Sequence, residues 1–208
     1  MLYGDLSSDA RITVMTAHQR RARERAERER TILATARSLA EAEGWDAVTT
    51  RRLADAIEYS QPVLYSHFPD GKAGIAAALA LEGVAEMGEH LRRRRGNTRT
   101  ARNLLIRLAE AYLEFAEQNP VLYQIIFTAP TTLIFADEAS PAPLRAAFSE
   151  IVTSVTPVAG DHDPQLVAEV FWSALHGLAT LDRDGRLSRD NVAARTRVLV
   201  DSFVDVHQ

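Results

Sequence analysis

Gln61, Pro62, Val63, Tyr65, Ser66 and His67 crowd into one short stretch, and the apolar Leu64 and Phe68 stand four apart among them. On a helix that spacing turns Leu64 and Phe68 inward and leaves the other six towards solvent or a partner. Their chemistry suits a nucleic-acid duplex: a Gln amide matches base edges, Tyr and His match phosphate or a thymine methyl, and Ser serves either. A little upstream, Arg51 can form a bidentate pair with a guanine, while Thr49 and Thr50 offer hydroxyls and helix N-terminal amides to a phosphate. Lys72, the only Lys in the chain, is a further phosphate candidate.

A second group lies far along the chain. Trp172 and His176 are i, i+4 on one helix face and can hold a ligand's polar group beside its apolar body. Tyr112, Phe115, Tyr123, Ile126, Phe127, Phe135 and Leu175 are the bulky residues available to line a cavity with them. The same spacing also serves a plain apolar core, with His176 bonded to a backbone carbonyl or a neighbour. His162 between Asp161 and Asp163 invites a metal, but it lacks the i, i+4 geometry of a helical site, and Asp before Pro164 reads as a solvated N-cap. No glycine-rich phosphate loop or nucleophile elbow occurs, and the absence of Cys excludes thiolate catalysis. The expectation is a binding protein with no catalytic residue, metal or cofactor. A helical small-molecule-binding protein, or an enzyme without specific DNA recognition, is the alternative.

The elements that must position these groups read as helices throughout, and no segment alternates at period two. The run QRRARERAERER from residue 19 interleaves Arg with Glu, after which Ile32, Leu33, Ala36, Leu39 and Ala40 form one apolar stripe closed by Gly44. Thr49 N-caps a short helix to about Ile57, with Leu53, Ala54 and Ile57 inward; Ser60 N-caps a second, with Pro62 in its first turn. Two short helices a few residues apart make a helix-turn-helix when the second enters the major groove; two packed surface helices show the same spacing. Asp70 is positioned to cap a long helix reaching about Arg95, the one predicted element that begins beside the second short helix and ends in the later part of the chain. The run Arg92 to Arg95 with Gly96 marks either a pivot or a solvated terminus. Further helices are expected from Leu104 to Phe115, Val121 to Thr128, Ala142 to Thr156, Gln165 to about Leu181 and Ser188 to about Val206, with a loop from Pro130 to Pro143.

With 208 residues, 46% hydrophobic and 25% charged, the chain has the composition of a globular protein able to bury a core. Without Cys, a leader or a long apolar run, it is expected in the cytoplasm with no membrane partner. A net charge of −4 argues against a general nucleoid binder. The charge is uneven, however: residues 11 to 72 hold eleven basic side chains against nine acidic ones, so a basic front and an acidic back point to two jobs.

Over residues 28–82 the chain resembles the N-terminal domain of the TetR family of transcriptional regulators, through helix-ending Gly44, Thr49-Thr50, Leu53-Ala54, Leu64-Tyr65 and His67-Phe68. Further on, FWSALHGLATLDRDGRL, from Phe171 to Leu187, is similar to a C-terminal helix of one subgroup of that family, marked by Trp172, His176 and Gly177. Two positions depart from the pattern. Glu58 stands where the family usually has Gly before the recognition helix, and the usual Lys after Phe-Pro is Gly71, with Lys72 one place on. The resemblance implies an all-α protein with a flexible N-terminal arm over 1–19, a helix-turn-helix domain over 20–69 and a helical ligand-binding and dimerisation domain over 70–208; Met15 is a second candidate start. It implies a homodimeric repressor that binds a palindromic double-stranded DNA operator and leaves it on binding a small, largely apolar effector. The last two helices then form a four-helix bundle between copies. Leu166, Val170, Phe171, Ala174 and Leu178 on one, with Val192, Leu199, Phe203 and Val206 on the other, supply stripes broader than one-sided packing needs.

Overall fold

The computed structural model describes residues 16–98, 100–128 and 139–204. Phe135, Val206, Met15 and most of the expected arm lie outside the described residues. Within them the chain is all-α: α1 (Ala17–Glu43), α2 (Thr50–Ala56), α3 (Gln61–His67), α4 (Lys72–Arg95), α5 (Ala101–Gln118), α6 (Pro120–Thr128), α7 (Ala142–Val155), α8 (Pro164–Arg183) and α9 (Val192–Val204), with 3-10 turns at Trp45–Ala47, Thr156–Val158 and Arg189–Asn191.

Three boundaries differ from expectation, each for a local reason. α1 starts at Ala17, inside the stretch read as an arm, because Thr16 and Gln19 form a reciprocal capping box: the Gln19 amide donates to Thr16 Oγ1 at 3.2 Å and the Thr16 amide to Gln19 Oε1 at 2.8 Å. Asp70 does not cap α4; Gly71, at φ 56°, takes that position without a side-chain bond. A Cβ at Gly71 would also lie 3.2 Å from the ring of the exposed Tyr65, which would have to give way slightly, so it is the positive φ that favours glycine there. α9 begins at Val192 rather than Ser188, since Arg189–Asn191 winds as a 3-10 turn.

Two apolar clusters organise the chain. The first joins Ile32, Leu33, Ala36 and Ala40 of α1 to Leu53 and Ala54 of α2, Leu64 of α3, Phe68, and Ile75 and Leu79 of α4. The second is built on Leu105, Leu108 and Tyr112 of α5, Leu122, Tyr123 and Ile126 of α6, Ile151 and Val155 of α7, Phe171 and Leu175 of α8, and Val200 of α9. α4 runs through both, with Val84, Met87 and Leu91 in the second. It is not alone in doing so: Ile125 of α6 is buried in the first cluster while its neighbours Tyr123 and Ile126 belong to the second. α6 can approach α4 this closely because Gly83 lacks a side chain; a Cβ there would meet Leu122 at 2.8 Å. At the far end of α4, Arg92 and Arg93 pair with Glu89 within the helix, while Arg94 reaches Glu114 of α5 and Arg95 reaches Glu150 of α7.

Candidate nucleic-acid interface and effector site

The connection between α2 and α3 is made by backbone chemistry. Tyr59 N–H donates to the Ala54 carbonyl at 2.9 Å across Glu58, which sits at φ 57°, so α2 ends in a Schellman turn whose left-handed position is a glutamate. Thr49 caps α2 by accepting from the Arg52 amide at 3.2 Å, which leaves its hydroxyl proton free to donate outward. Leu64 is fully buried, and around it Gln61, Pro62, Val63, Tyr65 and Ser66 are exposed, with Ser60 just ahead of them. Arg51 is exposed and makes no ion pair with a described residue, Thr50 is half-buried, and Arg52 is held by Glu43 at 2.7 Å.

Two expected contacts turn inward instead. His67 is buried, its Nδ1 3.2 Å from Glu29 Oε1 of α1, because it closes α3 on the side facing α1 rather than the outer side. The Lys72 ammonium donates to the Trp45 carbonyl at 2.8 Å and lies 5.1 Å from the Trp45 ring centre, fastening α4 to the turn after α1. Ser66 stays exposed, but its hydroxyl donates to the Val63 carbonyl at 2.6 Å, so its proton is used within α3.

In the second cluster four side chains from three helices form a hydrogen-bonded chain. Trp172 Nε1 donates to Tyr112 Oη at 3.0 Å, the Tyr112 and Tyr123 hydroxyls are 2.9 Å apart, and Tyr123 Oη is 2.7 Å from His176 Nδ1. Tyr112 is fully buried, so its proton must find an acceptor inside. Only one direction satisfies every proton: Tyr112 donates to Tyr123, Tyr123 donates to His176 Nδ1, and the imidazole proton sits on Nε2. Burial pushes the Tyr112 phenol well above its ordinary range and the Tyr123 phenol up to about 12, so both remain protonated. Burial, reinforced by the positive charge of Arg183, holds the His176 imidazolium below its ordinary range, so the ring is neutral. Phe127 packs 4.7 Å from both Tyr123 and His176, and Trp172 bridges Phe127 and Phe148.

Phe115 does not join this group. It is buried against His90 at 6.1 Å, beside a cleft of about 270 Å³ that Glu86, Glu89 and Arg93 also line. Leu175 is fully buried on the inner face of α8, within the second apolar cluster. Phe148 was missed because its helix shows a simple inward stripe, and only tertiary packing brings it to Trp172.

The outer face of α8 carries Leu166 at 55% exposure, Val170 at 54%, half-buried Ala174, Gly177 and Leu181 at 40%. On α9 the outward apolar residue is Val198, 70% exposed, with Val192 exposed at the start. Leu199 and Phe203 point inward: both pack on the second cluster, Phe203 edge-on to Phe171 at 4.9 Å. Leu178 is half-buried at the margin of the α8 stripe. Leu181 and Val198 were not singled out, and Gly177 was noted only as a mark of the resemblance, although the i, i+4, i+8 rhythm from Leu166 carries on to Gly177 and Leu181 with only a one-residue slip.

Two family descriptions match the chain: bacterial regulatory proteins of the tetR family over residues 32–79, and the tetracyclin repressor-like C-terminal domain over residues 105–206. The chain belongs to the TetR family. It is 28% identical over 144 residues to an uncharacterized HTH-type transcriptional regulator of Mycobacterium tuberculosis, a match covering 69% of this chain and 64% of that relative. A Rhodococcus sp. RHA1 protein of unknown function has the same fold with a TM-score of 0.70 and 26% identity, over 86% of this chain and 95% of the other. RolR, solved with the ligand resorcinol, shares the fold at a TM-score of 0.61 and 12% identity, over 89% of this chain and 90% of RolR. In this TetR-family chain the left-handed position before α3 is retained although glycine is not, and no described helix is long and apolar enough to cross a membrane.

Proposed function

We propose that the chain is a cytoplasmic, sequence-specific DNA-binding repressor that acts by binding rather than catalysis, grips a palindromic operator as a homodimer and releases it when a small, largely apolar effector binds. The observation that carries this reading is the α2–turn–α3 unit: a Schellman turn and the buried Leu64 fix α3 so that Gln61, Pro62, Val63 and Tyr65 stand outward together, with Arg51 unpaired beside them. Phe127, Trp172 and His176, all half-buried, supply an aromatic wall with one donor, His176 Nε2–H, which suits an apolar effector bearing a single acceptor group. The exposed α8 and α9 stripe supplies the second copy's contact. Selection of bound fragments from genomic DNA identifies the operator. Arg51→Ala and Gln61→Ala are each expected to cost about 1–3 kcal/mol and to relax preference at one base position. An equal loss on every sequence would mean that α3 docks otherwise.

A further inference from the structure

α1 is longer than its domain needs. Its buried residues begin at Ile32, where the family match also starts, yet the helix extends back to Ala17, about 20 Å further. Between Ala17 and Thr31 lie six arginines and three glutamates. Arg20, Arg21, Arg23, Arg28 and Arg30 are exposed and have no acidic partner among the described residues. Arg37, Arg52, Arg95, Arg102 and Arg195 rest on carboxylates, whereas Arg51, Arg107, Arg186 and Arg197 have no acidic partner among the described residues, but nowhere else do such arginines gather on one stretch of helix. Five such arginines on one stretch of α1 concentrate exposed positive charge there, which suits an anionic partner.

The direction in which this segment faces is set by α3. Arg25 Nη2 donates to the Ser66 carbonyl at 3.2 Å, and Arg25 also pairs with Glu29, whose carboxylate reaches His67. The outer half of α1 is thus tied to the C-terminal end of α3. Arg21 and Arg28 stand one turn before and after Arg25 and share its face, whereas Arg23 and Arg30 point to the opposite side.

We propose that the outer half of α1 is a second DNA-contacting surface, in which Arg21 and Arg28 follow the phosphate backbone beside the α3 site while Arg25 ties the helix to α3. The inference rests on the reading of α3 as the recognition helix. A span of about 20 Å follows some six base pairs, enough to add phosphate contacts beyond the half-site without adding base contacts.

Full-length protein is titrated by fluorescence anisotropy into a random-sequence duplex of about four helical turns between about 50 and 200 mM KCl. Arg21→Gln/Arg28→Gln is compared with Arg23→Gln/Arg30→Gln, which removes the same charge from the opposite face, and circular dichroism checks that α1 persists. The expected result is a fall of about 2 in the slope of log K against log salt for the first pair and little change for the second. Equal falls for both pairs would show a mere net-charge effect and overturn the proposal, as would no fall in either. Binding to phosphatidylserine vesicles lost only in the first pair, with the duplex slope unchanged, would make the partner an anionic lipid surface and also overturn it. Arg51→Ala on the selected operator separates the two readings: if it weakens binding while the α1 variants do not, the α1 contact fails and the α3 reading stands. If the wild type binds no duplex at all, both fail.

Discussion

Glu58 shows how a single residue records the demands of its position. The Schellman turn needs φ near +60°, and an L side chain there costs roughly 1 kcal/mol that glycine avoids. Glu58→Gly is therefore expected to raise the unfolding free energy by about 0.5–1 kcal/mol, seen as a higher urea midpoint, with α3 unmoved, since the Tyr59 to Ala54 bond remains. A lower midpoint would mean that the carboxylate makes a compensating contact. The sequence pointed to this position through the resemblance, since Glu58 stands where the family usually has Gly, the residue best suited to a left-handed turn. The fates of His67 and Lys72 were not legible there, since the partners that turn them inward, Glu29 and the Trp45 carbonyl, come from segments far away in the chain. His176 offers a pH test of the buried polar chain. Its folded pKa lies below that of the unfolded chain, so the unfolded form takes up the proton first and stability falls as pH drops below about 6.5, until the lowered folded value is passed. His176→Gln is expected to flatten that part of the acid limb in thermal melts against pH; an unchanged limb would assign the loss to other groups.

At the scale of elements, local signals placed the helices well: Gly44, Thr49 and Pro62 mark ends that the backbone respects. What the sequence did not show is which helix belongs to which core. Apolar VLYQIIFT announces a buried helix, but nothing in its period says that Ile125 leaves for the DNA-binding cluster while Tyr123 stays with Trp172 and His176. α6 therefore touches both the Tyr112–Tyr123–His176 cluster and the core beneath α3, and Asn119 just before it accepts a 3.5 Å bond from Arg37 of α1. A boundary drawn at residue 69 or 70 predicts two separately melting units, whereas a shared α6 predicts one. Ile125→Ala is expected to cost about 2–4 kcal/mol and to shift one cooperative denaturation transition without splitting it. A variant in which only part of the helical signal shifts would show that the N-terminal cluster melts independently of α6.

At the scale of the whole molecule, the most exposed large apolar side chains among the described residues, Leu166, Val170 and Val198, lie on the outer faces of α8 and α9. Leu166, Val170, Ala174, Gly177 and Leu181 follow one another at helical spacing over nearly the full length of α8, and a Cβ built on Gly177 would meet nothing within 4 Å. A partner helix can therefore approach closely at Gly177, and Val198, 70% exposed, is the most exposed large apolar residue of α9. A self-complementary dimer about a two-fold axis buries both stripes at once. The positions that decide assembly are then different from those that decide folding, although both are apolar and lie on the same two helices. Val170→Glu and Val198→Glu each place a charge in the seam between copies, where it is desolvated without a partner and costs several kcal/mol of association. Neither touches the core, so monomers with an unchanged melting profile at low protein concentration are expected by light scattering. Phe203→Glu instead puts its charge against Phe171 inside the monomer and should lower the melting midpoint before any change in mass. Val170→Glu and Val198→Glu variants that remain dimeric would remove the stripe as the interface, and dissociation by Phe203→Glu without loss of stability would place α9 in the seam by its other face.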